Sequence, residues 1–259
     1  MRKNIIIITG ASSGIGQEFA LQIDTAFSNI DEIWLIARRE ERLTEVAKVM
    51  EHTTKLICMD VTDEYAMDDF ERLLEESNVT VRMLINAAGM GLMGSFEDIP
   101  LEEQLEMLTV NCEALTKMTY ITLPYMAGGS RIIQLASSAA FLPQPDFAVY
   151  AATKSYVLSL SRALNRELAY RGIYVTAVCP GPVNTEFFSI AEQYGSTLAV
   201  KKLTMITSEK CVADALRASY NKQSMAVPGI PMKAFLLAAK FLPQEILLRL
   251  SQLLGGCEE

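Results

Sequence analysis

Short apolar runs recur along the chain between longer stretches whose apolar residues return every three or four positions, and these two rhythms predict alternating strands and helices. The runs are Ile5 to Ile8, Ile33-Trp34-Leu35-Ile36, Lys55 to Met59, Val81 to Ile85, Ser130 to Leu135, Tyr174 to Cys179 and the short Met225-Ala226-Val227. Apolar, β-branched and bounded by turn residues, they read as strands buried on both faces of a parallel sheet. Helical spacing follows the first run, covers Asp63 to Ser77, resumes after Pro100 in a long segment carrying Asn111, and holds Tyr150 and Lys154 ahead of the sixth run. Such alternation makes right-handed crossovers into one sheet the economical topology. The expectation is an α/β fold, doubly wound, with a seven-stranded, mainly parallel sheet and helices on both faces. No linker, low-complexity tract or repeat interrupts the chain, so 1–259 reads as one domain, with 1–185 as its core and 186–259 as a loop and C-terminal helices.

Chemistry enters at the first turn. Thr9-Gly10-Ala11-Ser12-Ser13-Gly14-Ile15-Gly16 closes the first strand and opens the first helix. Gly10 lets the chain turn sharply, while Gly14 and Gly16 leave no Cβ in the way of a ligand's phosphates or of helix–strand packing. A pyrophosphate placed there would meet unpaired N–H groups at the positive end of the helix dipole. The Gly-x-x-x-Gly-x-Gly spacing departs from the commonest dinucleotide fingerprint, Gly-x-Gly-x-x-Gly. Where a dinucleotide fold meets the adenosine ribose, an acid takes the 2′-hydroxyl of NAD and an arginine accommodates the 2′-phosphate of NADP. Ala37-Arg38-Arg39 stands at that point, and Glu40 and Glu41 come too late to be the acid. Arg38 and Arg39 therefore favour NADP. Asp60-Val61, at the end of the third strand, is placed to reach the adenine.

Composition removes other classes. A formal net charge of −8 and 50% hydrophobic residues suit a buried core and argue against a nucleic-acid surface. Cys58, Cys112, Cys179, Cys211 and Cys257 show no Cys-x-x-Cys pairing and read as buried thiols in a reducing compartment. His52 is the sole histidine, which leaves a histidine-based triad or a zinc site nothing to build on. The apolar run after Met1-Arg2-Lys3 ends at Gly10 with no cleavage site, and no stretch approaches a membrane span.

Tyr150 and Lys154 lie four apart on a predicted helix and so share a face. A hydroxyl residue at a strand's C-terminal end, where open α/β sheets place ligands, precedes that helix. Hydride transfer to a carbonyl leaves an oxygen that must be protonated, and a phenol with a pKa of roughly 10 is slow at that work near neutral pH. A neighbouring ammonium is expected to lower it. Ser137 would hydrogen-bond the oxygen on which charge develops.

These residues together resemble the short-chain dehydrogenase/reductase family, along nearly the whole chain to about Thr185. The matching pieces are the Thr9 to Gly16 turn, Asn86-Ala87-Ala88-Gly89, Asn111, Ser137, Tyr150-x-x-x-Lys154 and Pro180-Gly181, in the family's order. The resemblance implies a Rossmann fold, a catalytic tetrad of Asn111, Ser137, Tyr150 and Lys154, and a cofactor site that includes Gly10, Ser12, Ser13, Gly14, Ile15, Gly16, Arg38, Arg39, Asp60, Val61, Asn86, Ala87, Gly89, Tyr150, Lys154, Pro180, Gly181, Val183 and Thr185. It implies further that Asn111 holds a water relaying protons to Lys154, that Lys154 binds the nicotinamide ribose, and that Thr185 binds the carboxamide. The family's separation of serine from tyrosine selects Ser137 over Ser138. The expected function is NADP(H)-dependent interconversion of a carbonyl and a secondary alcohol in the cytoplasm. The alternatives are a 3-oxoacyl reductase of lipid synthesis and a non-catalytic NADP-binding sensor.

An apolar substrate pocket is expected from Leu92, Met93, Phe141, Leu142, Phe187, Phe188, Ile190 and Tyr194, which sit on loops after the strands. Pro231 to Leu242 and Pro243 to Leu254 predict two tail helices; Ile246, Leu247, Leu250, Leu253 and Leu254 share one face of the second. That much apolar surface suggests a homo-oligomer of two-fold symmetry, with a substrate lid, packing on the sheet or shallow membrane contact as other uses of the tail.

Overall fold

The computed structural model describes residues 2–195 and 204–255, with side chains through 249. Seven strands, β1 (Lys3–Thr9), β2 (Glu32–Ala37), β3 (Thr54–Cys58), β4 (Val79–Asn86), β5 (Met126–Leu135), β6 (Tyr174–Val178) and β7 (Met225–Ala226), form one sheet in the order β3-β2-β1-β4-β5-β6-β7. Every neighbouring pair is parallel, so the mainly parallel sheet expected is parallel throughout. The order reverses between β1 and β4, and a crevice opens at such a switch point outside the carboxyl ends of the strands.

The run Ile5 to Ile8 shows why the sheet lies where it does. Side chains alternate across a strand. Ile6 and Ile8 join Phe19, Ile23, Leu43 and Val212 on one face, and Ile5 and Ile7 join Phe70, Leu74 and Met118 on the other. All four isoleucines are at most 1% exposed, and each such burial is worth about 1.5–3 kcal/mol. Helices α1 (Gly14–Ala26), α2 (Glu40–Ala47) and α3 (Glu64–Glu76) make the first crossovers. Asp63 caps α3, accepting the Ala66 N–H at 3.0 Å, a contact worth about 1 kcal/mol.

The long segment after Pro100 is helical but not uniform. It runs as α4 (Leu101–Leu108), a π-helical turn (Thr109–Ala114) and α5 (Leu115–Thr122), with Asn111 inside the wide turn. The helix α6 (Ala148–Glu167) carries Tyr150 and Lys154, and α7 (Phe187–Ala191) follows Thr185. Beyond the helix Ser208–Tyr220 come the two tail helices, Ile230–Phe241 and Gln244–Gly255. No residue of the first tail helix is buried. Leu250, Leu253 and Leu254 have side chains outside the described residues.

The cysteines depart from expectation at one point. Cys179 and Cys211 are buried and Cys112 is half-buried, but Cys58 is exposed and its thiol donates to the Arg38 carbonyl at 3.2 Å. Its strand is the edge of the sheet. Cys257 lies outside the described residues. His52 packs near the surface with Nδ1 2.9 Å from Asp24 Oδ1. Among the described residues no helix is long and apolar enough to cross a membrane, and no group of three His, Cys, Asp or Glu could hold a metal.

Candidate active site

A cleft of about 1210 Å³ runs across the carboxyl ends of the strands, from the glycine turn past Tyr150 to the tail helices. Its first wall depends on missing side chains. Gly10 has φ +66°, and a Cβ there would lie 2.7 Å from the Ala88 amide nitrogen. Thr9 Oγ1 accepts the N–H groups of both Ala87 and Ala88 at 3.1 Å, tying the ends of β1 and β4 together. Gly16 serves packing, since a Cβ would fall 2.2 Å from Gly10 O. Gly14 faces Thr185, whose Cβ and Cγ2 would be 3.3 Å from an added Cβ. Helix α1 starts there with no side-chain cap and no acid in its first turn. Ser12, Ser13 and Ile15 line this mouth, with Ala87 and Gly89 opposite and Pro180, Gly181, Val183 and Thr185 beyond β6. A positive helix end bordered by glycines fits a nicotinamide dinucleotide's pyrophosphate.

The arginines stand at one end of this wall. Arg38 Nη1 is 3.4 Å from Asp60 Oδ2, and Val61 lies beside them in the lining. Burial pushes the Asp60 carboxyl up, but hydrogen bonds from Thr62 N at 2.9 Å and Thr62 Oγ1 at 2.8 Å, with the Arg38 charge, outweigh it and hold the group below its ordinary value. Arg39 Nη2 is 3.5 Å from Ser12 Oγ and 3.1 Å from Glu186 Oε2. Asn86 is not in the lining. Its amide donates to Gln134 Oε1 at 2.9 Å and Thr119 Oγ1 at 3.1 Å in a buried network below the cleft.

The other expected residues converge further along. Burial pushes the Tyr150 phenol up to about 12, with the nearby Ser137 hydroxyl acting in the opposite direction. Burial likewise brings Lys154 down to about 8. Lys154 Nζ donates to Leu135 O at 2.8 Å and stands 5.6 Å from the centre of the Tyr150 ring. The expected lowering of the phenol by the ammonium is therefore not what this environment produces; desolvation dominates both groups. Ser137 sits at the extended residue before a short 3₁₀ turn, its hydroxyl accepting the Ala139 N–H at 3.1 Å. Ser138 lines the cleft too, and its N–H donates to Pro180 O at 2.8 Å.

Asn111 works as a clamp. Its amide donates to Met90 O at 2.8 Å and Thr153 Oγ1 at 3.0 Å, and its Oδ1 accepts the Met90 N–H at 3.0 Å. The turn after β4 is thereby fixed to α6. A Cβ on Gly89 would meet Asn111 Oδ1 at 3.0 Å and Lys154 Nζ at 3.3 Å, so both groups crowd against that glycine.

The second wall is aromatic. Phe147 stacks on Tyr150 with ring centres 4.1 Å apart, Phe187 lies 5.6 Å from it on a tilt, and Phe188 meets Phe187 edge-on at 5.5 Å. Met93, Leu142, Phe188, Ile190 and Tyr194 continue the lining as expected, and Tyr194 donates to Glu103 Oε1 at 2.7 Å. Leu92 and Phe141 do not. Leu92 is buried in the hydrophobic cluster alongside, and Phe141 turns toward Phe235, ring centres 6.1 Å apart. Met232, Phe235 and Leu247 from the tail reach the cleft, so part of the tail roofs the site.

Set beside known proteins, residues 4–194 match the short chain dehydrogenase family model. The chain belongs to the short-chain dehydrogenase family. It is 33% identical over 187 residues to an uncharacterized oxidoreductase of Staphylococcus epidermidis, covering 71% of this chain and 80% of that one. It is 35% identical over 191 residues to sulfoacetaldehyde reductase 2 of Chromohalobacter salexigens, covering 71% and 74%. Among solved structures it is similar to a short-chain dehydrogenase from Sphingobium yanoikuyae in complex with NADPH, with TM-score 0.78 and 27% identity over 94% of this chain and 95% of that one. It is also similar to the bulky-bulky ketone specific alcohol dehydrogenase of Comamonas testosteroni, with TM-score 0.70 and 25% identity over 96% and 91%. The protein is thus an oxidoreductase of this short-chain dehydrogenase fold.

Three participants escape the sequence reading. Thr9 belongs to the quoted turn, yet only the fold brings its hydroxyl to residues far along the chain. Gly91 lies against the Tyr150 ring and Met232 against Gly181, 2.7 Å from where a Cβ would be. Neither contact has a local sequence signature.

Proposed function

We propose that this short-chain dehydrogenase interconverts an apolar carbonyl compound and its secondary alcohol with NADP(H). The observation that carries the reading is the position of the Tyr150 ring, stacked on Phe147 and centred 5.6 Å from Lys154 Nζ, where the glycine-and-arginine wall meets the aromatic wall. The turn Gly10 to Gly16, Arg38, Arg39, Asp60, Val61, Ala87, Gly89, Lys154 and the segment Pro180 to Thr185 would hold the cofactor. When bound, it supplies a hydride to the carbonyl carbon or accepts one from the alcohol.

Tyr150, kept neutral by burial, gives its hydroxyl proton to the substrate oxygen in reduction. Ser137 donates a hydrogen bond to the same oxygen, where a donor in a water-poor site is worth most. Lys154, brought down to about 8 by burial, is mostly charged near neutral pH and would bind the nicotinamide ribose. Asn111 acts as a positioning residue, through Met90 and Thr153. The NADPH complex of the Sphingobium relative supports the cofactor assignment, and Arg38 and Arg39 support it from this chain's own residues.

The aromatic wall favours hydrocarbon on the substrate. Arg38, Arg39 and Lys154 are the cations among the described lining residues, and of these Lys154 alone comes near that wall, 5.6 Å from the Tyr150 ring centre; Glu106 lines the cleft as well. Among the described residues, a sulfonated aldehyde, the substrate in the name of the Chromohalobacter relative, would find no counter-ion on that wall beyond Lys154. Free thiols among the described cysteines suit a reducing compartment, and a cytoplasmic location and a homo-oligomeric state belong to the same proposal. The test is loss of reduced-nicotinamide absorbance with NADPH or NADH and a panel of aldehydes, aryl and alkyl ketones and a 3-oxoacyl thioester. Bulky ketones with NADPH are expected to react fastest. Preference for the thioester selects lipid synthesis, and cofactor binding with no turnover across the panel selects a sensor.

A further inference from the structure

Arg39 already holds an anion. Glu186, the residue after Thr185 and before α7, places Oε2 3.1 Å from Arg39 Nη2 and Oε1 3.8 Å from Arg42 Nη2. Ser12 Oγ lies 3.5 Å from the same Arg39 nitrogen. One carboxylate is therefore held by two guanidinium groups, the nearer of which also reaches a hydroxyl of the glycine turn, and such a pair of guanidinium groups suits a phosphate monoester equally well. Arg38 is engaged separately by Asp60, and Arg42 is shared with Glu45 at 3.3 Å. Among the described residues Glu186 is the ion-pair partner of Arg39.

We propose that Glu186 occupies the place of the 2′-phosphate as an internal anion, so that NADP must displace it whereas NAD leaves it in place. The proposal rests on the NADP reading of Arg38 and Arg39. It makes Glu186 a specificity-determining residue that acts through Arg39, and it ties the adenosine end of the cleft to the substrate wall. Glu186 adjoins Phe187, whose ring lies 5.6 Å from that of Tyr150, and the Glu186 carbonyl accepts the Ser189 hydroxyl at 2.6 Å within the same loop. Breaking the pair with Arg39 releases the first residue of that wall from the rim of the cofactor site. A cofactor carrying a 2′-hydroxyl has no charge with which to break it.

The test compares wild type with Glu186→Gln by calorimetric titration of NADP⁺, NAD⁺ and adenosine 2′,5′-bisphosphate at one ionic strength. The exchange should tighten NADP⁺ and the bisphosphate by about two- to fivefold, the range of a half-exposed ion pair, and leave NAD⁺ unchanged. Hydrogen exchange at the amides of α7 should differ between the NADP⁺- and NAD⁺-saturated wild-type protein, and the difference should vanish in Glu186→Gln. Unchanged or weaker binding of both phosphate-bearing ligands, equal tightening of NAD⁺, or an exchange difference that persists in the variant each overturns the proposal. Equal binding of the two cofactors by both proteins refutes instead the NADP reading beneath it. A wild-type preference for NADP⁺ that the variant leaves unaltered refutes the role of Glu186 alone.

Discussion

Replacing Gly91 with alanine should disable the enzyme without touching a reacting atom. The backbone there is one that any L-residue adopts, so the effect comes from the side chain alone. The new Cβ would stand 2.5 Å from Tyr150 Cδ2, 2.8 Å from Cε2 and 2.9 Å from Phe187 Cζ. Carbon atoms rest about 3.5–4.0 Å apart, so the Tyr150 ring must retreat by roughly 1 Å. It has little room, because Phe147 is stacked on it with ring centres 4.1 Å apart. A misplacement of about 1 Å in a reacting group costs on the order of a hundredfold in rate. Overpacking should cost about 1–3 kcal/mol of stability, or about 2–4 °C of Tm for each kcal/mol. The assay is kcat/KM with NADPH and the best carbonyl of the panel, beside NADPH titration and a thermal melt. NADPH affinity should hold, since the ring moves and the glycine turn does not. Gly128→Ala is the control: its Cβ would meet Arg171 O at 3.5 Å, an ordinary contact, and it should change nothing. A Gly91→Ala enzyme within about threefold of wild-type kcat would refute the claim that the ring is held in register from this side.

Tyr150→Phe keeps the ring and its stacking and should lose at least about a hundredfold in turnover while binding NADPH; of the two serines, Ser137→Ala should be much the more damaging, and the opposite ranking would transfer the role to Ser138. Asp24 accepts the N–H groups of Glu51 at 2.8 Å and His52 at 2.9 Å as well as the His52 ring. Asp24→Ala should therefore cost about 2 kcal/mol and lower Tm by about 4–8 °C. Burial raises the Asp24 carboxyl, but those hydrogen bonds prevail and hold it below its ordinary value. Its contribution is therefore present above the ordinary carboxyl range and lost as pH falls through the lower folded value, and the gap in Tm between wild type and variant should close below about pH 4. Light scattering should find a homo-oligomer, and Leu237→Glu with Phe241→Glu, on the exposed face of the first tail helix, should dissociate it; an intact monomer refutes assembly, and an unaltered oligomer moves the contact to exposed Leu101, Leu105, Leu108 and Tyr156.

The features legible in the sequence are those whose cause is local. Four isoleucines before a glycine declare a buried strand and its turn, and a tyrosine four residues before a lysine declares a shared helix face. The π turn at Asn111 was not legible, because no residue type marks it and the pull on Asn111 comes from Met90 and Thr153, distant in sequence. Phe141 could not be told from Leu142 as a lining residue, since adjacent side chains in a short loop part according to what packs behind them. The exposure of Cys58 follows from its strand being outermost, which strand order decides and composition does not. The Tyr150 phenol departs from expectation for a related reason: spacing reveals the proximity of a charge, whereas depth of burial belongs to the whole fold.

The roof has a consequence for how such an enzyme can change. Tyr150, Lys154, Ser137 and the glycine turn all fall inside residues 4–194, the span shared with the family, whereas Met232, Phe235 and Leu247 fall outside it. The proposed machinery for moving hydride and proton and the aromatic wall are thus written in the shared part of the chain, and the roof over them in another. Mutations in the tail can remodel what is accepted while the reaction stays intact, which lets a lineage acquire new substrates without passing through an inactive ancestor.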